Sequence, residues 1–291
     1  MAGAGRAVSD SSSVLPNAEN TTAPNSKTVE DPSGMPEPRI LTPEEVNQKW
    51  QEAIADIDRI IQYYKDTLIK MGVPDSVWLQ NTLARHRAGI TQQTGYELDV
   101  VSGHMKDTVN QANSYHVPDD MKLFFSSLAD EFSAFCLDGT NPNYNDAPEW
   151  RNNCQRCVPA YEARRRGAQV TVHPSTTGSK HLAYFPFDAW INPNVLAGDG
   201  TGKETIEDFM SRWGNGARAQ VVVLWNSPHG GGHTFIAEQK NGSTVYYDPQ
   251  TGDKDVSRYF NRVRPDTTRF CRIDTLQMSG FQSECFEGKQ I

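Results

Sequence analysis

No run in the 291-residue chain approaches the ~20 apolar residues that span a bilayer, and the first thirty residues lack the apolar stretch of a signal peptide. A soluble protein with no membrane partner is expected, and any export would take another route. Cysteine is scarce and odd in number: Cys136, Cys154, Cys157, Cys271 and Cys285 leave at least one thiol unpaired within the chain. Positive charge is not in excess either. The formal net charge of −8 argues against a general nucleic-acid binder. Residues 1–39 have almost no bulky apolar side chains, so their Ser, Asn, Thr, Pro, Gly and Ala cannot repay the entropy of ordering, and a disordered arm is expected.

The rest of the chain is long enough to bury a substantial core. Structure begins at "LTPEEVNQKW", where Thr42, Pro43 and Glu45 occupy the N-cap, first-turn and capping-box positions of a helix. Trp50, Ile54, Ile57, Ile61, Tyr64 and Leu68 recur at helical spacing until Gly72 and Pro74 stop the pattern. A second helix is read through "DDMKLFFSSLADEFSAFCLDG", with Phe124, Leu128, Phe132 and either Phe135 or Cys136 along one stripe and Gly139 at its end. The sequence between them is weakly patterned, and His86, His104 and His116 are read as solvated or structural. Residues 40–138 thus form a helical region of unknown role, and the loop-forming "DGTNPNYNDAPEW" marks the change to a domain spanning 139–291.

That domain has a different grammar. Strand-like runs "AQVTVHP", "AQVVVLWNS", "HTFIAEQK" and "STVYYDPQ" are interrupted by a small helix, "TIEDFMSRWG", which reads as an α+β fold with an antiparallel sheet. Asn241-Gly242 is a strong signal for a two-residue hairpin. Counting back from that turn, Phe235 should face Asp248 and His233 should face Gln250, so that His233 and Asp248 become diagonal neighbours on one face. An imidazole beside a carboxylate or amide is held in one tautomer, leaving its other nitrogen free as a base, and either Asp248 or Gln250 could serve. The Gly-rich "SPHGGGHTF" just before it can let backbone approach a substrate closely.

"NNCQRCVPAYEARRRG" supplies a candidate nucleophile. A cysteine in the first turn of a helix has its thiolate favoured by the helix dipole and by free backbone N–H groups. Zinc would need four ligands at a spacing the other cysteines do not offer, and a redox pair would want a βαβ context; a plain structural role for both cysteines stays open. Pro159, tolerated in a first helical turn, places the helix start near Cys157 rather than Cys154, and a short irregular turn from Cys154 to Pro159 would reconcile that start with a Cys154 nucleophile. Arg164, Arg165 and Arg166 read as a solvated helix face.

Cys, then His, then Asp in chain order, with the cysteine on a helix and the others on adjacent strands, is the papain-like arrangement. "NPNYNDAPEWRNNCQRCVPAYEARRRGAQVTV" and "GGGHTFIAEQKNGSTVYYDPQTG" resemble the papain-fold toxin domains of the glutamine deamidase type, which occur in bacterial polymorphic toxins and in proteins encoded beside phage head genes. The resemblance runs from about Asn141 to the C-terminus. It implies a Cys-His-Asp triad with no metal and no cofactor, the Asn-Cys pair mapping to Asn153 and Cys154, with His233 and Asp248 completing it. Cys157 would line the same pocket, and backbone N–H groups with Asn153 or Gln250 would stabilise the oxyanion. It further implies a protein substrate attacked at a glutamine side chain, a possible immunity protein as partner, and delivery by a secretion system or association with phage. Cysteine peptidase or isopeptidase chemistry shares the same triad, and a non-catalytic interaction or phage-structural protein could use the same scaffold.

Overall fold

The computed structural model describes residues 42–102 and 121–289. The expected arm at 1–39 and the histidines His104 and His116 lie outside those residues. The first helix, α1 (Pro43–Lys70), starts with the expected reciprocal cap: the Glu45 N–H donates to Thr42 Oγ1 at 3.3 Å, and the Thr42 N–H donates to Glu45 Oε2 at 2.8 Å. It ends where Gly72 takes a φ of 88°. The weakly patterned stretch is helical too, as α2 (Val77–Ser102). Its inward stripe of Leu79, Leu83, His86 and Ile90 alternates with polar neighbours and includes a histidine, which obscured the period. His86 is structural, set edge-on to Tyr64 and Phe124, and burial lowers its proton affinity. Helix α3 (Met121–Asp138) then carries Phe125, Leu128, Phe132 and the fully buried Cys136 inward, with Phe124 partly buried beside them and Phe135 exposed.

After a 3-10 turn at Pro148–Trp150 comes α4 (Cys154–Arg165), then β1 (Gln169–Val172), a short helix α5 (His181–Tyr184) and β2 (Leu196–Ala197). Helix α6 (Lys203–Trp213) leads to the meander β3 (Arg218–Leu224), β4 (Gly232–Lys240) and β5 (Ser243–Tyr247). A 3-10 helix at Ser257–Arg262, β6 (Arg269–Arg272), the short α7 (Gln282–Cys285) and β7 (Phe286–Lys289) complete the order. The main sheet is antiparallel in the order β2-β6-β3-β4-β5, and β1 pairs with β7 as a separate two-stranded ribbon. The fold is α+β, as read, with the cysteine-bearing helix preceding the sheet; the short strands β2, β6 and β7 carried no legible alternation.

Period-two alternation divides the sheet's faces. Phe235 and Ala237 of β4 join Val221, Phe270, Ile206 and Met210 in a cluster under α6. Ile236, between them, points the other way into a larger cluster containing Cys157, Val158 and Tyr161 of α4 together with Tyr64, Leu79 and Phe132 of the helical region. Helix α4 is therefore enclosed on all sides, and every residue from Gln155 to Arg165 is buried.

This enclosure corrects two expectations. Pro159 does not mark the first turn, because it lies inside a continuous helix that begins at Cys154, where tertiary packing outweighs the missing N–H. Nor are two of the three arginines solvated: Arg164 is 9% and Arg165 7% exposed, and only Arg166 stays at the surface as read. Arg164 donates to the carbonyls of Cys136 and Val170 at 3.0 and 2.8 Å, and Arg165 pairs with buried Glu238 of β4 at 2.6 Å. Arg166 bonds Glu162 at 2.8 Å, and Arg218 of β3 grips the same carboxylate at 2.6 and 2.9 Å. Arg164 and Arg165 are accommodated in the interior because one meets a cluster of carbonyls and the other a carboxylate there.

Candidate active site

Two structural levers aim the residues of this site. One is the start of α4: Asn153 is the N-cap residue, its carbonyl accepting from the N–H groups of Arg156 and Cys157 at 2.8 and 3.1 Å. Cys154 thus occupies the first turn, where backbone N–H groups point outward without intrahelical partners. Arg156, 2% exposed, anchors this end by donating to the carbonyls of Thr177, Ser179 and Glu284. The other lever is the hairpin. Asn241 and Gly242 have φ of 50° and 82°, the left-handed pair of a tight turn, and the ladder runs from Lys240↔Ser243 to Ile236↔Tyr247 in the expected register.

Beyond Tyr247 the ladder stops, so His233 and Gln250 do not face each other across strands. The chain instead folds back on itself, the Asp248 N–H bonding the Asp253 carbonyl at 3.0 Å. The diagonal contact survives this departure: His233 Nε2 lies 2.9 Å from Asp248 Oδ2, with the imidazole side chain 10% exposed and the carboxylate fully buried. Cys154 is the ring's other polar neighbour. Burial by itself would strip the proton from His233, but the Asp248 carboxylate and the Cys154 sulfur outweigh it and raise the imidazole to about 10. Burial likewise opposes the charge on Asp248, yet hydrogen bonds from His233, Tyr259 and the Gln250 N–H hold its carboxyl below the usual range.

The two cysteines have separate environments. Cys154 is partly exposed; the other four cysteines of the chain are buried. Burial pushes the Cys157 thiol well up, and it donates to Asn153 Oδ1 at 3.4 Å. Burial also pushes Cys136, Cys271 and Cys285 up to about 12. Asn153 and Gln250 are brought to the site but are turned inward. Asn153 Oδ1 accepts from Gln250 Nε2 at 3.2 Å and from Asn141 Nδ2 at 3.4 Å, and Asn153 Nδ2 donates to the His173 carbonyl at 3.1 Å. Asn141 Nδ2 also reaches the Gln250 carbonyl at 2.9 Å. These amides tie the start of α4 to the turn that holds Asp248.

Three residues escaped the sequence reading. Tyr259 donates its hydroxyl to Asp248 Oδ2 at 2.7 Å. Trp225 lies nearly parallel to the imidazole, centroids 5.8 Å apart and planes 23° apart. Asn141 is the third. None has a motif of its own; a tyrosine eleven residues beyond the acid, past a turn and in a 3-10 helix, offers no periodic signal. The Gly-rich segment turns back between β3 and β4, Gly230 and Gly231 taking φ of 64° and 93° while the Gly231 carbonyl accepts from the Trp225 N–H at 2.9 Å.

Among the described residues no group of three or more His, Cys, Asp or Glu side chains is placed to hold a metal ion, and no helix is long and apolar enough to cross a membrane. A partly exposed thiol in a helix's first turn, beside a largely buried imidazole that bonds an ionised carboxylate, is equipped for attack on an acyl carbon. Residues 152–253 match the model of the family described as papain fold toxin 1, glutamine deamidase. No curated protein and no solved structure matches the chain.

Proposed function

We propose, with a papain-fold domain of the glutamine deamidase type as the premise, that this site hydrolyses a glutamine side-chain carboxamide in a target protein, with Cys154 as nucleophile, His233 as acid–base and Asp248 as its orienting carboxylate. The observation that carries the reading is the buried His233–Asp248 pair set beside the one cysteine that is not buried.

His233 takes the thiol proton, the Cys154 sulfur bonds to the carboxamide carbon, and the oxygen takes up the displaced electron pair. Since the Asn153 and Gln250 amides are engaged with each other, the donors left for that oxygen are the first-turn N–H groups of Cys154 and Gln155. His233 then passes its proton to the departing nitrogen, the C–N bond breaks and ammonia leaves, giving a thioester. Water, losing a proton to His233, attacks the thioester; the C–S bond breaks, glutamate is formed and the sulfur is restored. The family's description as a toxin supports an effector role, with an immunity protein as a further partner.

The test is to incubate the purified protein with a mixture of cell proteins and to read ammonia, glutamine-to-glutamate conversion and new amino termini together. Ammonia and conversion without new termini, both lost in Cys154→Ala, are the expected result. New termini would identify a peptidase or isopeptidase instead. If wild type and Cys154→Ala leave the mixture equally unchanged, the enzyme reading fails.

A further inference from the structure

The stretch matched by the family model ends at residue 253, yet the oxygen of Asp248 that receives His233 has a second donor beyond that limit. Asp248 is fully buried. Its Oδ1 accepts from the Gln250 N–H at 2.9 Å, while Oδ2 is shared between His233 Nε2 at 2.9 Å and the Tyr259 hydroxyl at 2.7 Å. Burial, and after it the charge on Asp248, raise the Tyr259 phenol above its ordinary value, so it remains a donor throughout the working range.

The ring of Tyr259 is placed with equal definition. It stands across the imidazole at 5.5 Å and 73°, and it meets Trp225 and Phe235 edge-on at 5.6 and 5.7 Å. Trp225 and Phe235 both lie nearly parallel to the imidazole. The three aromatic rings therefore hold the plane of His233, and the hydroxyl of one of them holds the carboxylate as well.

We propose that Tyr259 is a positioning residue of this site, dividing Asp248 Oδ2 between two donors so that the imidazolium is oriented without being held too tightly to release its proton. A hydrogen bond to a carboxylate lowers the electron density it offers elsewhere. With the tyrosine present, Asp248 grips the imidazolium less strongly, and the proton passes more readily to the leaving nitrogen. The inference rests on the roles assigned above to His233 and Asp248. The titratable groups facing the imidazole are Asp248 from the turn after β5, Cys154 from α4 and Tyr259 itself. Arg262 lies over the Trp225 ring and Arg258 over that of Tyr259, each one ring removed.

The experiment is the titration of His233 followed by NMR of the imidazole nitrogens in wild type, Tyr259→Phe and Cys154→Ser. Tyr259→Phe keeps the ring and removes only the hydroxyl, so the His233 midpoint is expected to move up by about half a unit, with the thermal midpoint of unfolding little changed. An unmoved or lowered midpoint overturns the proposal. Should Tyr259→Phe fail to fold, the hydroxyl proton of Tyr259 in wild type decides: slow exchange and a low-field resonance, lost in Asp248→Asn, support the shared oxygen, and a rapidly exchanging hydroxyl refutes it. Cys154→Ser separates the two levels. If it leaves His233 untouched while Tyr259→Phe shifts it, the positioning role stands and the thiol–imidazole chemistry falls.

Discussion

Cys154 and Cys157 sit one helical turn apart with opposite surroundings, and solvent access is what divides them. The first has a charged imidazole beside it and an opening to solvent; the second is sealed in the core and bonded to Asn153. Native alkylation by iodoacetamide should therefore mark Cys154 first, and His233→Ala should slow that labelling at pH 6 by at least about ten-fold, read by peptide mass spectrometry. Cys157→Ser keeps a donor for Asn153, while Cys157→Ala loses the donor and vacates sulfur volume; urea unfolding should show the alanine variant less stable by about 1–2 kcal/mol. The imidazole adds a pH dependence whose sign follows from its raised affinity. Because His233 binds its proton more tightly folded than unfolded, its contribution to stability is complete below about 6.5 and is lost as pH climbs through about 10. Urea midpoints should fall over that window more in wild type than in His233→Ala. The sequence supplied the residue types, their order and the hairpin parity that joins His233 to Asp248. It could not choose between the two thiols, since burial of a single helix position depends on what the rest of the chain packs against it.

At the scale of the element, α4 is the site's foundation, and ion pairs rather than a one-sided apolar stripe orient it. Glu162 reaches Arg218 of β3 and Arg165 reaches Glu238 of β4, so the helix is bound to two adjacent strands through four charges removed from water. Removing one member strands its partner. Glu162→Ala should cost about 3–5 kcal/mol, measured by urea unfolding, and should lower Cys154 labelling selectivity as the helix loses its register. Here the sequence misled for a physical reason: "YEARRRG" has the composition of an exposed helix, and the buried partners of Arg165 and Glu162, Glu238 and Arg218, are more than fifty residues away. Helix α2 was obscured similarly, by His86 on its inward stripe and by the buried Thr82 beside Leu83. Capped helix α1 and the Asn-Gly turn were legible because their signals are local, each complete within a few residues.

For the whole molecule, the apolar cluster that encloses α4 extends without a break into α1, α2 and α3. Residues 139–291 alone would present Cys157, Val158 and Tyr161 beneath a face stripped of Phe132 and Leu128. That fragment should bind the dye ANS and unfold with little cooperativity, whereas the full chain should not, as fluorescence and calorimetry would show. The anchoring of α4 also has a consequence in time. Arg156 is held by the Glu284 carbonyl, and β1, just after α4, is completed by β7. These partners leave the ribosome about 130 residues after Cys154 does. At ordinary elongation rates that is a lag of about 7–26 s. A nascent chain would carry Cys154, and then His233 and Asp248, before it could hold them in place, so the cell that makes this protein meets an unfinished site throughout translation.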